Sequence, residues 1–275
     1  MKRIIFLTVV FVLAAILLQA QEKTVVQLWK TDSILKVPES TLFDQATKTI
    51  FISNIDGEPW GKDGKGSIGK MGSDGKNIVV DWVTGLNAPK GMGLYKGKLY
   101  VADVDEIVII DVNAAKIEKH IPVAGAGTLN DVTVSPGGDV YVSDSKKGDI
   151  YLLSKGAVKK YLSGLDGING VLSTKDGLYF VAKGALYKAN AGQHLKIAEG
   201  MEPSTDGVVQ TRSGDFIVSS WVGAVYYIKK DGSKTELLNT MDIKLSSADI
   251  DFDPVNEVLY VPTFYGNSVY AYQVK

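Results

Sequence analysis

Six polar residues, five of which have side-chain oxygens that could bind a cation, each stand where a short loop leads into an apolar segment. In chain order they are Glu39, Lys90, Asn130, Asn169, Asp206 and Asp249. If they met, the three carboxylates would repel one another, and a hard divalent cation with oxygen ligands would relieve that repulsion. Alternatively, Asn and Asp only shape the turns at the strand starts. The first hypothesis holds only if the fold brings the six positions together.

Short strand-like segments with a central aromatic residue recur along the chain. These residues are Phe51, Tyr100, Tyr141, Tyr179, Phe216 and Tyr260, at steps of 49, 41, 38, 37 and 44 residues. Apolar and polar residues alternate from Leu129 to Ser154 around Pro136-Gly137-Gly138, which is typical of an antiparallel meander. A multi-strand unit repeated about every 40 residues is typical of propeller blades. We therefore predict an all-β fold, a six-bladed β-propeller, whose central channel brings the six polar positions together at one end.

The two ends of the chain predict how the ring closes. The sixth repeat stops at Lys275 without a fourth strand, whereas Thr24–Trp29 is a strand-like segment that belongs to no repeat. Pairing this segment as the outer strand of the last blade would remove two open sheet edges. We therefore predict one propeller domain over residues 21–275.

An insertion lengthens the first repeat. Residues Asp56 to Gly66 are rich in glycine and charge, which predicts a loop between the second and third strands of the blade. Propeller connectivity places this loop on the same face as the six polar positions. It is either a partial lid that brings Trp60 to a ligand or a neutral surface insertion.

Residues 1–20 have the pattern of a signal peptide. Lys2 and Arg3 precede an apolar run from Ile4 to Leu18, which is short for a membrane span, and Ala20 suits a cleavage site. An uncleaved anchor is the alternative. We expect export to the periplasm or the medium, with no stable membrane insertion after cleavage.

Composition restricts the partners. The chain has no cysteine, which excludes disulfides and thiolate metal sites, and its net charge of −1 argues against nucleic acid as a partner. We expect a monomer that binds a small molecule.

At the polar positions the chain resembles the family of gluconolactonase, regucalcin (senescence marker protein) and luciferin-regenerating enzyme. The resemblance lies in Glu39 within PES, Asn130 within LNDV, Asn169 within INGV and Asp206 within TDGV, and in the strand pair SSWVGAVYYI. It implies a six-bladed propeller that hydrolyses a lactone or small ester. It also implies that Glu39, Asn169 and Asp206 bind one divalent cation, while Asn130 faces the substrate.

The cation that the resemblance favours is calcium, with manganese, magnesium or zinc as alternatives. We assign Asp206 as general base, and Asp249 or Asp131 could take the proton instead. The vertebrate members bind substrate with an arginine at the position of Thr128, so an acidic sugar lactone is not implied. Lys90 could supply a positive charge to the substrate, or form a salt bridge with Asp249 or Glu39.

Two further patterns predict no chemistry. Gly64–Met71 has phosphate-loop spacing, but Met71 replaces the hydroxyl residue and the segment runs into a β-hairpin rather than a helix. The two histidines, His120 and His194, lie in the outer parts of their repeats, where they could not serve a catalytic triad in the channel. A propeller that binds a ligand without chemistry therefore stays open as the alternative to the hydrolase.

Overall fold

A computed structural model describes residues 22–190 and 192–275, and the predicted signal peptide lies outside these described residues. The described part of the chain contains 24 strands and one 3-10 turn, η1 (Phe264–Gly266). In chain order the first twelve strands are β1 (Val25–Lys30), β2 (Pro38–Asp44), β3 (Thr49–Asn54), β4 (Gly66–Gly72), β5 (Val79–Leu86), β6 (Pro89–Tyr95), β7 (Lys98–Asp103), β8 (Glu106–Asp111), β9 (Lys116–Pro122), β10 (Leu129–Val134), β11 (Val140–Asp144) and β12 (Asp149–Ser154). The other twelve are β13 (Ala157–Leu162), β14 (Ile168–Thr174), β15 (Gly177–Ala182), β16 (Ala185–Asn190), β17 (Gln193–Ala198), β18 (Thr205–Gln210), β19 (Phe216–Ser220), β20 (Ala224–Ile228), β21 (Lys234–Asn239), β22 (Asp251–Asp253), β23 (Val258–Pro262) and β24 (Val269–Val274).

These strands form six four-stranded antiparallel sheets, which confirms the predicted six-bladed β-propeller. Five blades are consecutive meanders: β2–β5, β6–β9, β10–β13, β14–β17 and β18–β21. The sixth has the order β1-β24-β23-β22, so that β1 takes its outer position. Each innermost strand lines the central channel.

Apolar side chains hold neighbouring blades together. Between the first and second blades, Phe51 and Ile68 pack against Leu99, Val101 and Val108, and all five are buried. These residues come from the middle strands of each blade, which have neighbouring sheets on both faces. Full burial explains why these strands are apolar nearly throughout, whereas the outer strands are mostly exposed.

The segment at the start of the described chain occupies the place predicted for it. Val25 pairs with Val274, and Lys30 pairs with Tyr270, in an antiparallel ladder. Trp29 lies 6.0 Å from the ring of Tyr260 and also contacts Gly75 in the first blade. The first strand therefore joins the last blade to the first.

Loops between second and third strands lie on the same face as the loops that enter the innermost strands. The insertion, residues 55–65 between β3 and β4, belongs to this face. Within the described residues, no helix is long and apolar enough to cross a membrane.

Candidate active site at the channel mouth

Five innermost strands carry a β-bulge at their first residues. The register shifts lie between Pro38 and Ser40, Pro89 and Met92, Leu129 and Val132, Ile168 and Val171, and Thr205 and Val208. These intervals contain Glu39, Lys90, Asn130, Asn169 and Asp206. A bulge releases its residue from the ladder and redirects the side chain, and bulges are frequent next to active sites.

Serines of the second strands accept the backbone N–H groups that three of the bulges release. The bonds join Ser40 N to Ser53 Oγ (2.9 Å), Asp131 N to Ser143 Oγ (2.9 Å) and Gly207 N to Ser219 Oγ (2.8 Å). Because a buried N–H must be paired, the serine in TIFISN, DVYVSD and DFIVSS fixes the bulge in its blade.

The structure brings five of the six polar positions, together with Trp60 of the insertion, to one cavity of about 390 Å³ at the channel mouth. Its lining includes Glu39, Trp60, Lys90, Asn130, Asn169 and Asp206. The Asn130 side chain donates to Ser145 Oγ over 3.0 Å, which fixes its amide at the cavity edge.

Asp249 does not belong to this mouth cavity, and its predicted place there is wrong. Its backbone N–H donates to Glu39 O (2.9 Å) and its carbonyl accepts from Thr41 N (3.1 Å), so Asp249 aligns with Ser40, one residue deeper. A shift of one residue along a strand turns the side chain the other way. Asp249 instead lines a second channel cavity of about 290 Å³ together with Asp131. Neither alternative general base therefore lines the mouth cavity.

Two oxygen atoms in the mouth cavity are buried without a hydrogen-bond partner. They are Glu39 Oε2 and Asn169 Oδ1, and among the described residues only Ser247 Oγ shares this condition. A buried acceptor without a partner costs about 1–3 kcal/mol, and such an atom often marks a bound water or ion. Nowhere in the described part of the chain do three or more His, Cys, Asp or Glu residues form a group that could hold a metal. A cation here therefore requires the Asn169 amide as well as the two carboxylates.

Burial shifts the acids of the mouth toward their protonated forms. It raises the pKa of Glu39 to about 8, an effect that the charge of Lys90 opposes and that of Asp249 increases. Burial and the charges of Glu39 and Asp249 raise the pKa of Asp206 well above its ordinary range. Both groups are thus proton acceptors of unusual basicity for carboxylates.

Lys90 is 2% exposed and connects the floor of the cavity to the insertion. Its Nζ donates to Pro59 O over 2.5 Å and lies 4.4 Å from the centre of the Trp60 ring. Neither of the salt bridges considered for Lys90, to Glu39 or to Asp249, is present within 4 Å in the described structure. Burial lowers the pKa of Lys90, and the charge of Glu39 opposes this shift.

The remaining sequence patterns lie away from the mouth. Thr128 accepts from Lys146 N (2.9 Å) and does not line the cavity. Gly66–Gly72 is the strand β4, so the phosphate-loop spacing is not followed by a helix. His120 and His194 lie on the outer strands β9 and β17, as predicted.

Three aromatic residues of the cavity were not anticipated from the sequence. Trp221 lies in the loop between β19 and β20, and Phe264 and Tyr265 lie between β23 and β24. These loops correspond to the insertion that carries Trp60. An aromatic residue within three positions of the end of a second strand is the signal that would have found them.

Comparison with known proteins supports the fold but not a specific function. No protein-family model matches the chain, and no curated protein matches it in sequence. Among solved structures, a luciferin-regenerating enzyme is 15% identical with a TM-score of 0.63, covering 92% of this chain and 95% of that one. A gluconolactonase from Xanthomonas campestris is 16% identical with a TM-score of 0.67, covering 91% and 89%. A virginiamycin B lyase from Staphylococcus aureus, in complex with quinupristin, is 13% identical with a TM-score of 0.64, covering 92% and 99%.

At these identities the likeness establishes the shared architecture. The chain has the six-bladed propeller fold of luciferin-regenerating enzyme and gluconolactonase, the proteins that its sequence motifs resemble.

Proposed function

We propose that this protein is a lactonase-type hydrolase that acts on a small lactone or ester at the channel mouth, with one divalent cation. The observation that carries the proposal is the pair of unpartnered buried oxygens on Glu39 and Asn169, in a cavity that Asp206 also lines. The gluconolactonase of the same fold gives it support at the level of reaction type.

Glu39, Asn169 and Asp206 fit a hard cation because all three offer oxygen atoms and come from different blades. Calcium is the cation that we favour, with manganese, magnesium or zinc as alternatives. When bound, such a cation polarises a carbonyl group and makes water more acidic.

The chain's own residues supply the proton transfer and the orientation. Asp206 is the candidate general base, since its raised pKa makes it a better proton acceptor than an ordinary carboxylate. Lys90 lies beside the two acids and can stabilise negative charge that develops on the substrate oxygen. Asn130, held by Ser145, can orient the substrate with its amide.

A second candidate function is ligand binding without chemistry. It is favoured by Lys90, whose positive charge can offset that of Glu39 without any metal. The cavity would then hold a small molecule, with Trp60 over its edge.

Export through the signal peptide at residues 1–20 and a monomeric state are part of the same proposal. The N-terminal mass of the secreted protein tests the first, where we expect the mature chain to start near Gln21. Light scattering tests the second.

The function is tested by calorimetric titration of the mature protein with calcium, manganese, magnesium and zinc, followed by lactone hydrolysis with and without chelator. We expect one binding site and a chelator-sensitive activity. Asp206→Asn should abolish hydrolysis, because it removes both a ligand charge and the proton acceptor. Asp166→Asn is the matched control, since Asp166 is exposed and lines only the neighbouring shallow pocket on this face.

Binding of none of the four cations would exclude the metal-dependent reaction and leave the ligand-binding propeller. Full activity in Asp206→Asn would exclude the assigned base.

A further inference from the structure

The rim of the mouth cavity is aromatic on one side only. Trp60, Trp221 and Tyr265 lie in the second-to-third-strand loops of the first, fifth and sixth blades, which are consecutive around the ring. The same loops of the second, third and fourth blades are short and contain no aromatic residue: residues 104–105, 145–148 and 183–184. We call Trp60, Trp221, Phe264 and Tyr265 the aromatic wall.

The wall presents apolar surface to solvent. Trp60 is 40% exposed, Trp221 37% and Tyr265 64%, although large aromatic side chains are usually more buried. Beneath them Phe264 is buried, with its ring 5.6 Å from that of Trp221 and 4.7 Å from that of Tyr265. Buried Phe264 therefore fixes the two exposed rings by edge contacts.

The backbone that carries the wall is strained. Phe264 has φ +50°, and Asn267, which ends the same turn, has φ +53°. A bulky side chain at positive φ is an outlier, and such strain is concentrated at ligand-binding sites. Asn267 also accepts from Val37 N (2.9 Å), which connects the wall to the segment that leads into Glu39.

The chemistry around the wall narrows what it can bind. Besides the wall, the cavity lining contains the apolar residues Pro59 and Pro203 and the hydrogen-bonding residues Asn130, Ser145, Ser204 and Thr205. Lys90 in the floor would repel a cationic ligand. The best fit is a molecule without positive charge that has one flat apolar ring for the wall and polar groups for the rest of the lining.

We propose that the substrate is a lactone or ester carrying a flat aromatic ring, which lies against the aromatic wall while its carbonyl reaches Glu39, Asn169 and Asp206. This inference rests on the proposed function for the reaction, but the wall would select the same ring in a binding protein. It assigns Trp221 and Tyr265 as specificity-determining residues.

The test compares two lactones that share a six-membered reacting ring. Dihydrocoumarin has a fused benzene ring and δ-valerolactone has none. The ratio of their kcat/KM values, each divided by the uncatalysed rate, measures selectivity for the aromatic ring. We expect the wild type to prefer dihydrocoumarin by at least about tenfold, and Trp221→Ala and Tyr265→Ala each to lose most of that preference.

Tyr161→Ala is the control, because Tyr161 is equally exposed at 41% but lies on β13, the outer strand of the third blade. It should leave the ratio unchanged. Hydrolysis of both lactones with a ratio that the wall variants do not alter would overturn the inference and leave the proposed function standing.

If the wild type hydrolyses neither lactone, their binding to the same protein is measured by calorimetry. Tighter binding of dihydrocoumarin that is lost in Trp221→Ala would support the ring selectivity while overturning the hydrolase. Equal or absent binding of the two would overturn the ring selectivity as well.

Discussion

Closure of the ring should depend on one face of the first strand. Trp29 lies against Tyr260 of the sixth blade and against Gly75 of the first, where an added Cβ would come within 2.8 Å of the indole ring. Leu28, the preceding residue, is 50% exposed. Trp29→Ala and Leu28→Ala therefore separate the inter-blade contact from the mere presence of a large apolar side chain on β1.

The expected magnitude follows from buried area. A fully buried tryptophan removes about 150–250 Å² from water, so the partly buried Trp29 removes roughly 100 Å², equivalent to about 2.5 kcal/mol. Trp29→Ala should lower the free energy of unfolding by about 2 kcal/mol, or Tm by roughly 4–8 °C for a domain of this size. Leu28→Ala should change it by less than about 0.5 kcal/mol.

Thermal and urea unfolding of the mature protein, followed by circular dichroism, measure both changes. Equal losses in the two variants would refute the inter-blade role of Trp29. A shift in the urea m-value for Trp29→Ala alone would indicate that the sixth blade opens before the rest.

Three further predictions concern the channel. Replacing residues 56–66 by a two-residue turn should leave Tm nearly unchanged but weaken ligand binding, since Trp60 is lost; unchanged affinity for an identified ligand would make the insertion neutral. Burial raises the pKa of Asp249 from 3.8 to about 7. Between these two pH values the folded state binds more protons than the unfolded state, so the free energy of unfolding should fall as the pH rises. Asp249→Asn should flatten that part of the curve of unfolding free energy against pH, and an unaltered curve would contradict the assignment. Because Glu39 holds a proton up to about pH 8 and the pKa of Asp206 is raised as well, cation affinity should rise by at least about tenfold per pH unit below pH 8. A calorimetric affinity independent of pH would argue against both carboxylates as ligands.

Much of the architecture could be predicted from the sequence because it depends on local periodicity. Alternation of apolar residues defines the strands, and the aromatic repeat defines the blades, from Phe51 to Tyr260. The spare segment Thr24–Trp29 indicated how the ring closes, since a blade without a fourth strand leaves an open edge. The position of Glu39, Asn130, Asn169 and Asp206 at strand starts followed from the same register.

The tertiary structure alone decided what each of these positions touches. Asp249 was predicted at the mouth, but its pairing with Glu39 and Thr41 sets it one residue deeper, because register between blades is fixed by backbone pairing and not by residue type. The Asp249 carboxylate fits at this depth because Gly207, in the neighbouring fifth blade, has no side chain. A Cβ at Gly207 would lie 2.5 Å from Asp249 Oδ1. Such a close approach across blades leaves no local pattern in the sequence.

The aromatic wall shows the same limit most clearly. Trp60, Trp221 and Tyr265 are separated by up to 205 positions along the chain and become neighbours only because the ring sets the first blade beside the sixth. Sequence periodicity determines which segments become blades, since each strand depends on its own alternating residues. Which loop residues share a cavity depends on ring closure, a long-range contact that the short-range pattern does not encode.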